Sequence, residues 1–463
     1  MRKLILILIT FLPPFYLSAQ SCDCVAQFRF VKSYYEKNNP AFQKIKTDTK
    51  TYQAYAADVQ GLTKKIKKEV SIERCIVWLE KYVTLLKDHH SGIDINIKRL
   101  QLDFNSPEVI DSFKKTNAYR AFKKIKVDSM DLYSQLLSKS SSDIEGVYTN
   151  GGNVTFGILQ NKTNHYVAII LKKNKLLDVG HILLELEATN YPFLFKSIYN
   201  TGLLGFNVQK VYKTVEVKNG KIPVYGFSKT PIQPEEEQSA YSFKELDEQT
   251  NYLKLTSFDY TLKEKLNVFY KTIDSTITHK PYLIIDLRDN NGGSEECYFN
   301  LLPYVYTHPL KIDEVELWVS PENIKQYEKY QNSNSELISR MKSAQAYSFI
   351  PQVESPVSQW TMQGSINPKK VAILFNRHTA SSAESMVTYC MQSSKVITLG
   401  ENSGGYLGYG NVMTTDTPCG IFSIRSTTTK YKNNSRYEYV GIEPDVKLPA
   451  DSNWIEAARK AMH

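Results

Sequence analysis

Leu283-Ile284-Ile285-Asp286-Leu287-Arg288-Asp289-Asn290-Asn291-Gly292-Gly293 decides the fold: an apolar run broken by one aspartate, then polar residues, then two glycines. Such a run reads as a strand covered on both faces, the habit of parallel sheets. Glycines at its end let backbone N–H groups approach a ligand with no side chain in the way. Taken alone, Asn290 to Gly293 is also an ordinary turn. Outward from this stretch, after about residue 240, strand and helix alternate. Tyr252-Leu253-Lys254-Leu255 reads as a strand and residues 262–277 as a helix. Lys370-Val371-Ala372-Ile373-Leu374-Phe375 is a further strand, followed by a helical pattern over 382–391, and Val396-Ile397-Thr398-Leu399 is another. This alternation predicts an α/β domain with its site just beyond the strand ends.

Upstream the texture differs. Val154-Thr155-Phe156-Gly157-Ile158-Leu159, Tyr166 to Leu171 and Val211 to Val217 are β-branched and aromatic, punctuated by Asn150-Gly151-Gly152 and Lys218-Asn219-Gly220. They predict a small antiparallel β module, a barrel or sandwich, over 143–235. Periodic apolar positions such as Tyr52, Tyr55, Val59 and Leu62, then Ile72, Ile76, Leu79 and Tyr82, predict a helical region over 20–142. The core then occupies 240–463.

Met1-Arg2-Lys3, the apolar residues 4–12 and the small-residue end Leu17-Ser18-Ala19 describe a secretory signal peptide, placed at 1–19. The run is too short for a membrane span, and no later segment offers one. The protein is therefore expected in the periplasm or cell envelope, or secreted. Cys22 suggests a lipid anchor, but Gln20 sits badly in such a site. Of 463 residues 42% are hydrophobic, an ordinary globular proportion. The net charge of +9 is spread over scattered lysines, which speaks against a nucleic-acid partner. The six cysteines permit disulfides in an oxidising compartment, their pairing left open. Cys22-x-Cys24 is too tight for a zinc site, so no metal and no cofactor are expected.

Thr379-Ala380-Ser381-Ser382-Ala383-Glu384 follows the 370–375 strand directly. A strand-to-helix turn exposes a hydroxyl there, beside the unspent first N–H groups of the helix. Ser381-x-x-Glu384 is equally a capping box, common on inert helices. The two glycines at 292–293 tip the reading, because they supply a plausible oxyanion hole on a neighbouring strand. No His-Glu-x-x-His, Walker lysine or Gly-x-Ser-x-Gly elbow occurs.

These two motifs together resemble the core of the C-terminal processing (tail-specific) peptidases, tricorn protease and interphotoreceptor retinoid-binding protein. Gly400-Glu401-Asn402-Ser403-Gly404-Gly405 and Gly441-Ile442-Glu443-Pro444-Asp445 add to the likeness, which covers roughly 245–450. The resemblance implies a crotonase/ClpP-like superhelical core. It implies Ser381 as nucleophile, with N–H groups of Ser382 and of Gly292 or Gly293 as oxyanion donors. The tail-specific branch carries a lysine 25 positions after the serine, where this chain has Tyr406. A phenol is mostly protonated near neutral pH and replaces a lysine base poorly. The tricorn-like branch points instead to a histidine from before the core and a late glutamate. Asp88-His89-His90-Ser91 selects His90 by position, with His89 as competitor, and Glu438 matches the late acid, with Glu384, Glu401 and Glu443 also available. The expected function is peptide-bond cleavage in unfolded or C-terminal segments of exported proteins, with a polypeptide as substrate. A non-catalytic binding protein on the same scaffold and a serine esterase are the rivals.

Overall fold

The computed structural model describes residues 22–140, 142–150, 154–230, 239–330, 335–354 and 358–462. The expected signal peptide lies outside the described residues.

The core is a six-stranded sheet in the spatial order Tyr241–Glu245, Thr250–Leu255, Tyr282–Asp286, Lys370–Phe375, Val396–Gly400, Val446–Lys447. The first pair is antiparallel and the rest are parallel. Both faces are covered, which explains the unbroken apolar runs. Leu283, Ile285, Val371 and Ile373 point to one side, against helix Lys263–His279 and helix Ser382–Cys390. Tyr252, Ile284, Ala372 and Leu374 point to the other, against Trp454, Ala458 and Met462 of the last helix. Asp286 pairs with Leu374, and Phe375 with Gly400. The three strands therefore end level, and their following loops emerge together at one edge. That edge is where ligands bind in parallel sheets.

Residues 146–229 form a single antiparallel sheet of eight strands. Its two outermost strands, Val211–Glu216 and Lys221–Ile222, are consecutive in the chain and joined by a tight Lys218–Lys221 bridge. Sequence neighbours at opposite ends of the sheet require it to curl on itself. Phe156, Ile158, Leu184 and Phe227 fill the interior.

The N-terminal region packs its helices around Tyr35, Tyr82 and Leu79. It is helical as expected, with one short strand set among its helices. Gly92–Ile95 is a strand that pairs antiparallel with Phe422–Ser426 of the core. Ile93 and Phe422 are buried in the same cluster as the helices. Disulfides Cys22–Cys419 and Cys24–Cys75 fasten this region to the core and to itself.

Candidate active site

Strand Lys370–Phe375 runs through a short turn into helix Ser382–Cys390, and Ser381 is the residue between them. Its backbone stands at φ 56° and ψ −123°, a region that side-chain-bearing residues rarely occupy. Such strain persists only where surroundings over-determine it. Here Ala380 N–H donates to Asn290 O at 2.9 Å, and Ser381 N–H to Glu384 Oε2 at 2.9 Å. Glu384 is fully buried and also accepts from Ser403 Oγ, Gly405 N–H and Tyr406 N–H. Burial pushes its carboxyl up and these hydrogen bonds pull it down. Cap and nucleophile are thus compatible. Glu384 closes the helix tip while the serine hydroxyl stays turned outward.

That hydroxyl lies 3.2 Å from His90 Nε2, across 291 positions of sequence. His90 sits in the turn between helix Ile76–Thr84 and strand Gly92–Ile95. Two anchors hold it against the core. Tyr35 donates its hydroxyl to Gly92 O at 2.6 Å and to Arg425 O at 2.9 Å. Asp88 is buried and accepts from His90 N–H, Ser91 Oγ, Asn39 Nδ2 and Thr427 Oγ1. The imidazole is half-buried between these elements. Burial holds its pKa below the usual value, while the Asp88 charge works upward and His89 and Arg425 work downward. A neutral imidazole at ordinary pH can accept a proton.

His89 is turned elsewhere. Its ring stacks on Tyr439 at 3.6 Å and on Tyr406 at 4.4 Å, with Nδ1 against Gly405 O at 2.8 Å. Tyr406, standing where a lysine base would be, meets His90 edge-on at 5.5 Å. It serves as a wall for both imidazoles.

The glycines are packed against the serine turn. A Cβ on Gly292, at φ +87°, would lie 2.5 Å from Ala380 O and 2.9 Å from Ser382 N. The Gly292 N–H is already spent on Asn290 Oδ1 at 2.9 Å. That removes Gly292 from the expected oxyanion donors, because its single hydrogen is engaged. Gly293 and Ser382 both face the same cleft, and among the described residues neither N–H has an acceptor. Together they can receive a developing oxyanion.

Glu438 departs from its expected role. Its Oε1 accepts from His89 N–H at 2.8 Å and its Oε2 from Gly408 N–H at 2.6 Å. His90 Nδ1 is buried with no hydrogen-bond partner among the described residues. Glu438 therefore holds the backbone beside the imidazole, not the imidazole. Sequence reasoning also left Asp88 as a mere motif letter and Glu384 as a cap. Their signal was present, since both are acids flanking the selected histidine and serine.

A cleft of about 1120 Å³ opens in front of Ser381, His90, Gly293 and Ser382 and runs along helix Ser382–Cys390. The glycine-containing stretch 404–410 forms part of its wall, with Tyr406, Leu407 and Tyr409. Among the described residues, no group of three or more His, Cys, Asp or Glu could hold a metal ion. No helix among them is long and apolar enough to cross a membrane.

A serine hydroxyl at a helix tip, an imidazole in reach and two unspent amides are an arrangement that can carry nucleophilic attack on a carbonyl. Residues 249–448 match the model of peptidase family S41 over somewhat less than half of the chain. No curated protein matches the chain. Mature CPAF complexed with lactacystin is similar in structure at 13% identity, covering 95% of this chain and 98% of that one, with TM-score 0.50. The photosystem II D1 C-terminal processing protease is similar at 12% identity over 95% and 97%, with TM-score 0.38. A lipoprotein from Streptococcus agalactiae is similar at 13% over 98% and 99%, with TM-score 0.39. At such identities the likeness is one of fold, a mixed α/β core preceded by a helical region and an antiparallel sheet.

Proposed function

We propose that the protein is an exported serine peptidase that cuts unfolded or C-terminal segments of envelope proteins. One observation carries this reading: His90 Nε2 stands 3.2 Å from Ser381 Oγ, although the two come from opposite ends of the chain. In the proposed reaction Ser381 Oγ attacks the scissile carbonyl and His90 takes its proton. The oxyanion rests on the N–H groups of Gly293 and Ser382. His90 then returns the proton to the leaving amine, and water releases the acyl group by the same route. Glu438 acts as a positioning residue through the backbone of His89. The imidazolium is stabilised by the nearby charge of Asp88. Two disulfides support an oxidising compartment.

The partnerless Nδ1 of His90 favours a second reading, a binding protein on the same scaffold, because nothing fixes the tautomer. A fluorophosphonate probe separates the two. The peptidase reading expects labelling of the wild type, none of Ser381→Ala, and cleavage of denatured casein by the wild type alone. Absence of any Ser381-dependent adduct or cleavage would leave the binding reading. Turnover of small esters without casein cleavage would indicate an esterase.

A further inference from the structure

Two residues beyond the oxyanion glycine, the chain turns at Glu295–Cys297, and Glu295 faces the cleft. The adjoining wall is one stripe of helix Ser382–Cys390 and its continuation: Ser382, Ser385, Tyr389 and Gln392 recur at helical spacing along the cleft. Ser385 lies one turn beyond Ser381, a rise of about 6 Å. Burial pushes the Glu295 carboxyl up, while the hydroxyls of Ser385 and Tyr298 work downward by favouring its charged form. Among the described residues no cation pairs with Glu295, although its neighbour Glu296 has Lys263 at 2.6 Å. The cationic side chains that line the cleft, Lys311 and Arg436, are exposed and well hydrated. Tyr431 also lines this space, and Trp360 stacks on Tyr389 at 5.4 Å.

A carboxylate partly withdrawn from water without a counter-charge, as the half-buried Glu295 is, gains from pairing with a cation. Aromatic faces beside it suit the methylene stem and the charge of a long cationic side chain. The distance also fits. One helical turn separates the nucleophile from the hydroxyl beside the carboxylate, about the reach of an extended lysine.

The geometry points to Glu295 as the specificity-determining residue of the cleft: it binds a lysine or arginine side chain on the substrate residue whose carbonyl Ser381 attacks. This rests on the peptidase reading. The test uses unstructured peptides identical but for Lys, Arg, Leu, Ala or Glu at one position, with cleavage sites mapped by mass spectrometry. The wild type should favour Lys and Arg over Leu by about 10-fold or more in kcat/KM. Glu295→Gln should lower the Lys-to-Leu ratio about 10–100-fold, and Glu295→Lys should turn preference towards Glu. Thermal melts of both variants establish that they fold. Cleavage after apolar residues, or a ratio that Glu295→Gln leaves alone, overturns this inference and spares the peptidase reading. Failure to cut any peptide counts against it as well. If Ser381 also takes no fluorophosphonate, the peptidase reading falls with it.

Discussion

Glu438 Oε1 accepts the backbone N–H of His89 at 2.8 Å, one residue before the imidazole that faces Ser381. The late glutamate thus fixes the turn that carries His90. Its second oxygen holds Gly408 N–H, so a single carboxylate ties the imported turn to the cleft wall.

Burial pushes the Glu438 carboxyl up to about 7, against the two backbone hydrogen bonds. The folded state therefore binds this proton more tightly than the unfolded chain. Its contribution to stability is full below the ordinary glutamate range and is lost as pH rises towards 7. Glu438→Gln should remove that component, so wild type minus variant stability should fall by on the order of 2 kcal/mol between pH 4.5 and 7.5. Urea midpoints across this range check it. As a positioning residue, Glu438→Gln should reduce kcat about 10–100-fold, and it should flatten the same pH window in kcat. A loss as large as that of Ser381→Ala would instead restore Glu438 as the acid of the triad.

His90 must be neutral to accept the serine proton, so activity should rise with pH through its depressed pKa. Asp88 works against that depression. Asp88→Asn should therefore move the acid limb of kcat/KM to lower pH. The substitution also replaces an acceptor by an amide in front of several donors, at a stability cost of roughly 2–3 kcal/mol. A pH–rate profile beside a denaturant melt separates the two effects.

Tyr406 contributes a ring, since its hydroxyl makes no hydrogen bond among the described residues while the ring contacts both histidines. Tyr406→Phe should stay within about 3-fold of wild type. Tyr406→Ala frees both imidazoles and should lose about 100-fold, the usual result of misplacing a reacting group by an ångström. Steady-state kinetics on one peptide decide this.

Gly292→Ala forces a Cβ to within 2.9 Å of Ser382 N from a backbone at φ +87°. It should cost at least about 2 kcal/mol and displace the serine turn. A thermal melt and the rate of fluorophosphonate labelling should both fall. Normal labelling would mean that the glycine approach does not shape the nucleophile.

Much of this site was legible in the chain. Strand, glycine pair, serine turn and helix are local patterns, each set by apolar periodicity and by residues suited to turns within a dozen positions. The sheet of 146–229 was visible as a texture, but several of its strands were not, because Ile182–Ala188 and Leu194–Tyr199 are mixed in polarity and owe their state to neighbours. Strand Gly92–Ile95 was hidden for the same reason: it exists through pairing with Phe422–Ser426.

The α/β core, the serine at a helix tip and the short list of candidate partners all followed from local patterns of residues. Their placement is tertiary: His90 and not His89 stands beside Ser381, the Gly293 amide is unspent where that of Gly292 is engaged, and Glu438 binds backbone and not the His90 ring. The reason is physical. Each choice turns on ångström distances between segments whose relative placement is fixed by packing and hydrogen bonds across hundreds of residues, and no local pattern of side chains records those distances.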